Sequence, residues 1–369
     1  MDVLPLPSWV PPATRALAHA SQTARVISAC TPIGFRDELE RLTEDWERGQ
    51  VRAPTFAYQA PEARDTVRRA LAEMAEALDG RGPLGALFAG RAREIAVEVE
   101  ICVAAGTPAL RDTALRRFGV RDGFDQRADD LCAAWLAEPP PERPTSLVRS
   151  DDGDDPRSLL RRLRDEVGAL RLPVRVIVSR HLASLAAVGD GVVHVVAERM
   201  LSEADVERTV RHEMLGHVLP RQRAEREPLG LFAVGTAAGA DDQEGRALFL
   251  ERQAGFLDAG RRRELALRHL AARRAQAGEP FVETTRRLLA HDASLPDALR
   301  IVARAHRGGG LAREAVYLPA LLRVERAVAA QPGLDSVLAR GRVSVGAAPL
   351  LAPWVADEEE AAQDELSLA

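Results

Sequence analysis

The most constraining feature of this chain is a pair of histidines five positions apart, His212-Glu-Met-Leu-Gly-His217, inside a stretch patterned as helix. Two imidazoles four positions apart on a regular helix share a face and can meet one ion. A spacing of five sets them about 140° apart instead. Either the two residues do not act together, or the turn between them is widened to i→i+5 hydrogen bonding, a local form that favours functional sites. Gly216, just ahead of the second histidine, would ease such a widening. The turn through Leu215 and Gly216 is therefore expected to depart from α-helix.

The residue types point to metal chemistry. A helix carrying H-E-x-x-H offers two zinc ligands on one face, and the glutamate between them can take a proton from a metal-activated water. Here Glu213 holds that place. A catalytic zinc needs a third protein ligand and an open position. Glu244, in Asp242-Gln-Glu-Gly-Arg-Ala247 and 27 residues beyond His217, offers the carboxylate of a His2Glu set of the gluzincin type. Glu225, Glu227 and Glu251 compete with it on spacing. A metal-free reading, with two histidines and a glutamate on an ordinary helix, stands beside the metal reading at this point.

The surrounding pattern predicts an α+β fold that is mostly helical, with a gluzincin-like catalytic core and a small antiparallel sheet packed on the histidine helix. Apolar residues at helical spacing mark helices over 64–78, 95–103 and 125–136. Residues 1–137 are read as an N-terminal, mostly helical region. Residues 138–157, proline-rich and then acidic from Ser150 to Pro156, are read as an exposed linker rather than a calcium loop, because the ligand spacing is wrong. A zinc metallopeptidase core is placed at 158–356 and a disordered acidic tail at 357–369. Within the core, a β-branched run at 174–178 predicts a strand, and 183–188 and 192–197 flank a hairpin signal at Gly189-Asp190-Gly191. Ser202, with Asp205 three residues later, predicts a capped helix start. Pro220 is expected to end that helix.

Composition narrows the partners. The formal net charge of -5 and the absence of any long uncharged apolar run argue against nucleic acid and against a membrane span. All 50 basic residues are arginine, a bias that fits a GC-rich, bacterial genome better than a functional device. Three widely spaced cysteines, Cys30, Cys102 and Cys132, lack metal-binding or disulfide spacing, which favours a reducing, cytoplasmic setting.

Taken in order, these blocks resemble the microtubule-associated tyrosine carboxypeptidase family, whose bacterial members are named for a QEGLA motif. The family's H-E-x-x-x-H matches His212 to His217, and its QEGLA matches Gln243-Glu-Gly-Arg-Ala247, with Arg246 where leucine is usual. Arg304-Ala-His-Arg-Gly308 is similar to its R-x-x-R-G, and Arg313-Glu-Ala-Val-Tyr-Leu318 to its K-D-x-V-Y-L. Weaker echoes occur at Pro54-Thr-Phe-Ala-Tyr58 and from Gly106-Thr107 to Phe118-Gly119. The resemblance implies a metallocarboxypeptidase with one zinc per chain on His212, His217 and Glu244, and Glu213 as general base. It lifts Tyr317 as a candidate oxyanion donor. Arg304, Arg307 and Arg313 become candidates for the substrate's terminal carboxylate. The partner implied is a peptide or protein C-terminus; the oligomeric state is left open.

Two other readings compete. One is a zinc amidase acting on a non-peptide or modified peptide. The other is a regulatory or binding protein that keeps the fold without turnover, against which the retention of Glu213 argues.

Overall fold

The computed structural model describes residues 5–60, 62, 64–140, 146–180 and 182–355. The acidic tail and the centre of the expected linker, 141–145, lie outside the described residues. The architecture is α+β and mostly helical. Among the described residues no helix is long and apolar enough to cross a membrane.

The sheet region forms as local chemistry dictates. Ala186–Gly189 (β3) and Val192–Val196 (β4) make an antiparallel hairpin. Its two turn residues, Asp190 and Gly191, both take left-handed conformations, at φ 50° and 72°, as a two-residue type I′ turn requires. Arg175–Ser179 (β2) pairs with β4 in parallel, giving the order β2-β4-β3. The three-stranded sheet is therefore mixed, not antiparallel as expected. β-branched content and the hairpin signal identified the strands, but β3 occupies one edge of β4 and leaves β2 the other, where the chain arrives running the same way.

The segment read as an exposed linker is partly built in. Val148–Arg149 (β1) pairs antiparallel with Met200–Leu201 (β5). Ser150 is fully buried and its hydroxyl donates to the Val196 carbonyl at 2.6 Å. The acidic run behind it turns the chain: the Asp152 carboxylate accepts from the amides of Asp154 and Asp155, and Ser158 caps the helix Leu159–Ala169. One valine and one serine anchor a stretch whose overall composition reads as loop.

The helix Glu203–Glu213 begins with the expected capping box, Ser202 and Asp205 satisfying each other's amides, a device worth about 1 kcal/mol. Its apolar face (Val206, Val210) joins Leu159, Leu163, Val193, Val195 and Met214 in one core, so the sheet and the helix Leu159–Ala169 fix its position. The first 137 residues do not stand apart from the rest. Leu17 and Phe88 share a core with Phe232, Val324 and Leu338. Ile101 and Trp135 share another with Leu248, Leu265 and Leu318.

Candidate metal centre

The helix carrying His212 does not continue as regular α-helix. Met214–Val218 is a π-turn in which the Leu219 amide reaches back to the Met214 carbonyl, and α-helix resumes over Leu219–Arg226. The extra residue in the turn cancels the angular mismatch of the five-residue spacing. The Nε2 atoms of His212 and His217 come to 3.4 Å of each other. Pro220 does not end the helix as expected. It lies at the start of the resumed segment, where proline's missing amide is tolerated.

Glu244, on the helix Gly239–Gln253, completes the set. Its Oε2 lies 3.6 Å from His212 Nε2 and 3.7 Å from His217 Nε2. Zinc with bonds of about 2.0–2.1 Å and tetrahedral geometry holds its ligand atoms about 3.4 Å apart, so these three atoms fit it. They form the group identified as able to hold a metal ion among the described residues. The rival carboxylates are engaged elsewhere. Glu225 is exposed beside Arg221, and Glu227 is buried against Arg340 at 3.2 Å.

Glu251 serves the site in another way. Its Oε1 lies 2.7 Å from Nδ1 of His212, while Arg261 grips both its oxygens at 2.8 and 2.9 Å. Gln243 Oε1 stands 3.3 Å from Nδ1 of His217. Each imidazole thus has an acceptor at Nδ1, which leaves Nε2 free to ligate and orients the ring.

Burial pushes the Glu213 carboxyl up to about 7, with Glu244 and Glu251 adding and His212 opposing. Burial disfavours a charged His212, but Glu244 and Glu251 outweigh it and raise that imidazole to about 10 in the metal-free protein. His217, with no second carboxylate beside it, is held down to about 4 by burial. Burial also works against ionised Glu251, yet Arg261 and His212 hold its carboxyl at about 2.

Of the other sequence-selected residues, Arg313 and Tyr317 adjoin this centre, while Arg304 and Arg307 gather around Glu314. Arg313 donates from Nη2 to Glu244 Oε1 at 3.1 Å and from Nη1 to the Tyr317 hydroxyl at 3.3 Å. Arg304 binds Glu314 at 3.0 Å and Arg307 lies 4.0 Å from the same carboxylate. Arg268, not singled out on sequence, stacks 4.9 Å above the Tyr317 ring. The buried cluster therefore carries more guanidinium than carboxylate, and burial with Arg268 lowers Arg304 to about 10. In a chain where every basic residue is arginine, nothing marked Arg268 in advance.

Every residue of the Gln243–Ala247 motif has a contact that explains it. Gln243 faces His217 and Glu244 faces the ligand cluster. A Cβ at Gly245 would overlap the Ala320 backbone. Arg246 donates to the Leu215 carbonyl at 3.0 Å. A Cβ at Gly216 would lie 2.6 Å from that of Ala247, so glycine at this position permits the close contact of the two helices.

The weaker echoes converge too. The Tyr58 hydroxyl accepts from the Gly308 amide at 2.8 Å, and the Gly106 amide donates to the Gly308 carbonyl at 2.7 Å. Gly308-Gly-Gly310 is the turn that receives them, with all three glycines at positive φ.

A family model described as microtubule-associated tyrosine carboxypeptidase matches residues 46–360. No curated protein matches the chain. The chain belongs to the microtubule-associated tyrosine carboxypeptidase family.

Proposed function

We propose that this member of a carboxypeptidase family is a zinc-dependent metallocarboxypeptidase that removes a residue from the C-terminus of a peptide or protein. The observation that carries the reading is the convergence of His212 Nε2, His217 Nε2 and Glu244 Oε2 within 3.4–3.7 Å, with Glu213 next in sequence to the first ligand. Bound there, zinc would supply a Lewis acid and lower the pKa of water. Glu213 takes the proton of the attacking water and delivers it to the leaving amine. The Tyr317 hydroxyl, steered by Arg313, donates to the oxyanion that develops on the scissile carbonyl. Arg313 also holds the second oxygen of Glu244. Arg304 and Arg307, in an arginine-rich cluster beside Tyr317, attract the substrate's terminal carboxylate. That excess of cation favours a carboxypeptidase over an amidase acting on neutral ends. The three free, buried cysteines accord with a cytoplasmic setting.

The test is zinc content per chain in wild type and His217→Ala, followed by incubation of wild type and Glu213→Gln with a C-terminal peptide library. One zinc in wild type, none in His217→Ala, and single-residue trimming only by wild type are expected. Absence of zinc in wild type sinks the metal centre. Zinc with no trimming of any peptide transfers the reading to an amidase or a binding protein.

A further inference from the structure

The widened turn contains a carbonyl that its own helix cannot satisfy. The Leu219 amide reaches back to Met214. In the same pattern the next amide would serve Leu215, but residue 220 is proline and has no N–H. The Leu215 carbonyl accepts instead from Nη1 of Arg246 at 3.0 Å. The same guanidinium forks onto Asp335, Nε to Oδ1 at 2.8 Å and Nη2 to Oδ2 at 3.0 Å. Arg246 is only 4% exposed, so the planar group is fixed between the two partners, and among the described residues no other cation is seen on that carbonyl. Relaxation to a regular turn would return the Leu219 amide to Leu215, displace Arg246 from its acceptor, and rotate His217 away from His212.

We propose that Arg246 is a positioning residue of the metal centre: it holds the Leu215 carbonyl that Pro220 leaves without a backbone donor, and so locks the turn that brings His217 to His212 and Glu244. The inference rests on the reading of these three residues as a zinc site. It needs no new chemistry, because a charge-assisted bond to a carbonyl is among the stronger hydrogen bonds a protein makes.

The test measures zinc dissociation constants by competition with a chromophoric chelator, in wild type, R246M, D335N, P220A and P220A/R246M. The cobalt(II) visible spectrum serves as a second readout of ligand geometry, and circular dichroism monitors folding. R246M is expected to weaken zinc about tenfold to a hundredfold, the range for residues that orient ligands, and to distort the cobalt spectrum with helix content unchanged. D335N, which keeps the bond to Leu215, should cost only a few-fold. In the P220A background an amide can serve the same carbonyl, so R246M should cost only a few-fold there. Wild-type affinity in R246M overturns the proposal. So does an equal loss in both backgrounds, or a loss in D335N as large as in R246M. Should R246M not fold, R246L carries the same comparison, since leucine likewise removes the donor to the Leu215 carbonyl. Wild type that binds no zinc is a different failure, that of the site itself.

Discussion

The Nε2 atoms of His212 and His217 stand 3.4 Å apart although five positions of helical chain separate the residues. Their approach depends on a single widened turn, and the proposed ligand pair and the proposed proton acceptor beside it, Glu213, are separable by substitution. Glu213→Gln should keep one zinc per chain and lower kcat about 10²- to 10⁴-fold, whereas His217→Ala should lose the metal. Metal analysis and turnover on one peptide decide it; a Glu213→Gln protein as active as wild type removes Glu213 from the reaction.

Glu251 joins His212 to a buried guanidinium, so its replacement should act on metal and fold together. Glu251→Ala takes the bidentate partner from Arg261 and leaves it Glu264 alone, a loss of buried hydrogen bonds that costs about 1–3 kcal/mol. It also frees Nδ1 of His212, with zinc affinity expected to fall at least tenfold. Urea unfolding and chelator competition read the two effects. An unchanged urea midpoint would contradict the buried pair.

Gly216→Ala tests the contact between the two motif helices. The added methyl would meet Ala247 at 2.6 Å, and such overpacking costs about 1–3 kcal/mol. Because the strain falls on the π-turn, zinc affinity should drop as well. Gly245→Ala should be worse in thermal melting, since its methyl meets the Ala320 backbone, which yields less than a side chain does. Equal melting temperatures for both variants and wild type would mean that the helices are not packed this closely.

His306 sets a pH dependence outside the proposed ligand cluster. Burial holds its imidazole down to about 4, from an ordinary 6.5, and its buried Nε2 has no hydrogen-bond partner among the described residues. The unfolded chain therefore binds this proton more readily than the folded one. The folded state has its full stability above the unfolded value and loses it as pH falls from 6.5 towards 4. His306→Phe keeps an aromatic ring beside Phe281 and removes the titration. The loss of unfolding free energy between neutral pH and mildly acid pH should shrink by about 2 kcal/mol, allowing for partial exposure. A pH profile identical to wild type would show that His306 does not titrate as its burial requires.

Local signals carried much of this fold. The capping residues Ser202 and Asp205, the Asp190-Gly191 turn and the widened His212–His217 turn were legible because each depends on a few neighbouring residues. What was not legible depends on residues distant in sequence. Glu251 was a rival ligand on spacing alone, and only its placement against His212 and Arg261 gives it a role. The parallel pairing of β2 with β4 follows from which edge the hairpin leaves open. Pro220 read as a helix end because nothing nearby shows that Arg246 takes over the missing bond. The link between Tyr58 and Gly308 spans most of the chain and left only weak traces at either end.

The Arg246–Asp335 fork also sets a timetable for assembly. Asp335 follows the ligand helices by a long stretch of chain, and Leu338, three residues on, closes a core begun by Leu17 and Phe88. On a ribosome, His212, His217 and Glu244 emerge well before the group that steadies their geometry. The nascent polypeptide therefore passes through a stage with all its donors and no finished centre. On the proposed zinc reading, metal capture would come late in biosynthesis, and a chain cut short before Asp335 would carry all three proposed ligands yet hold the ion poorly.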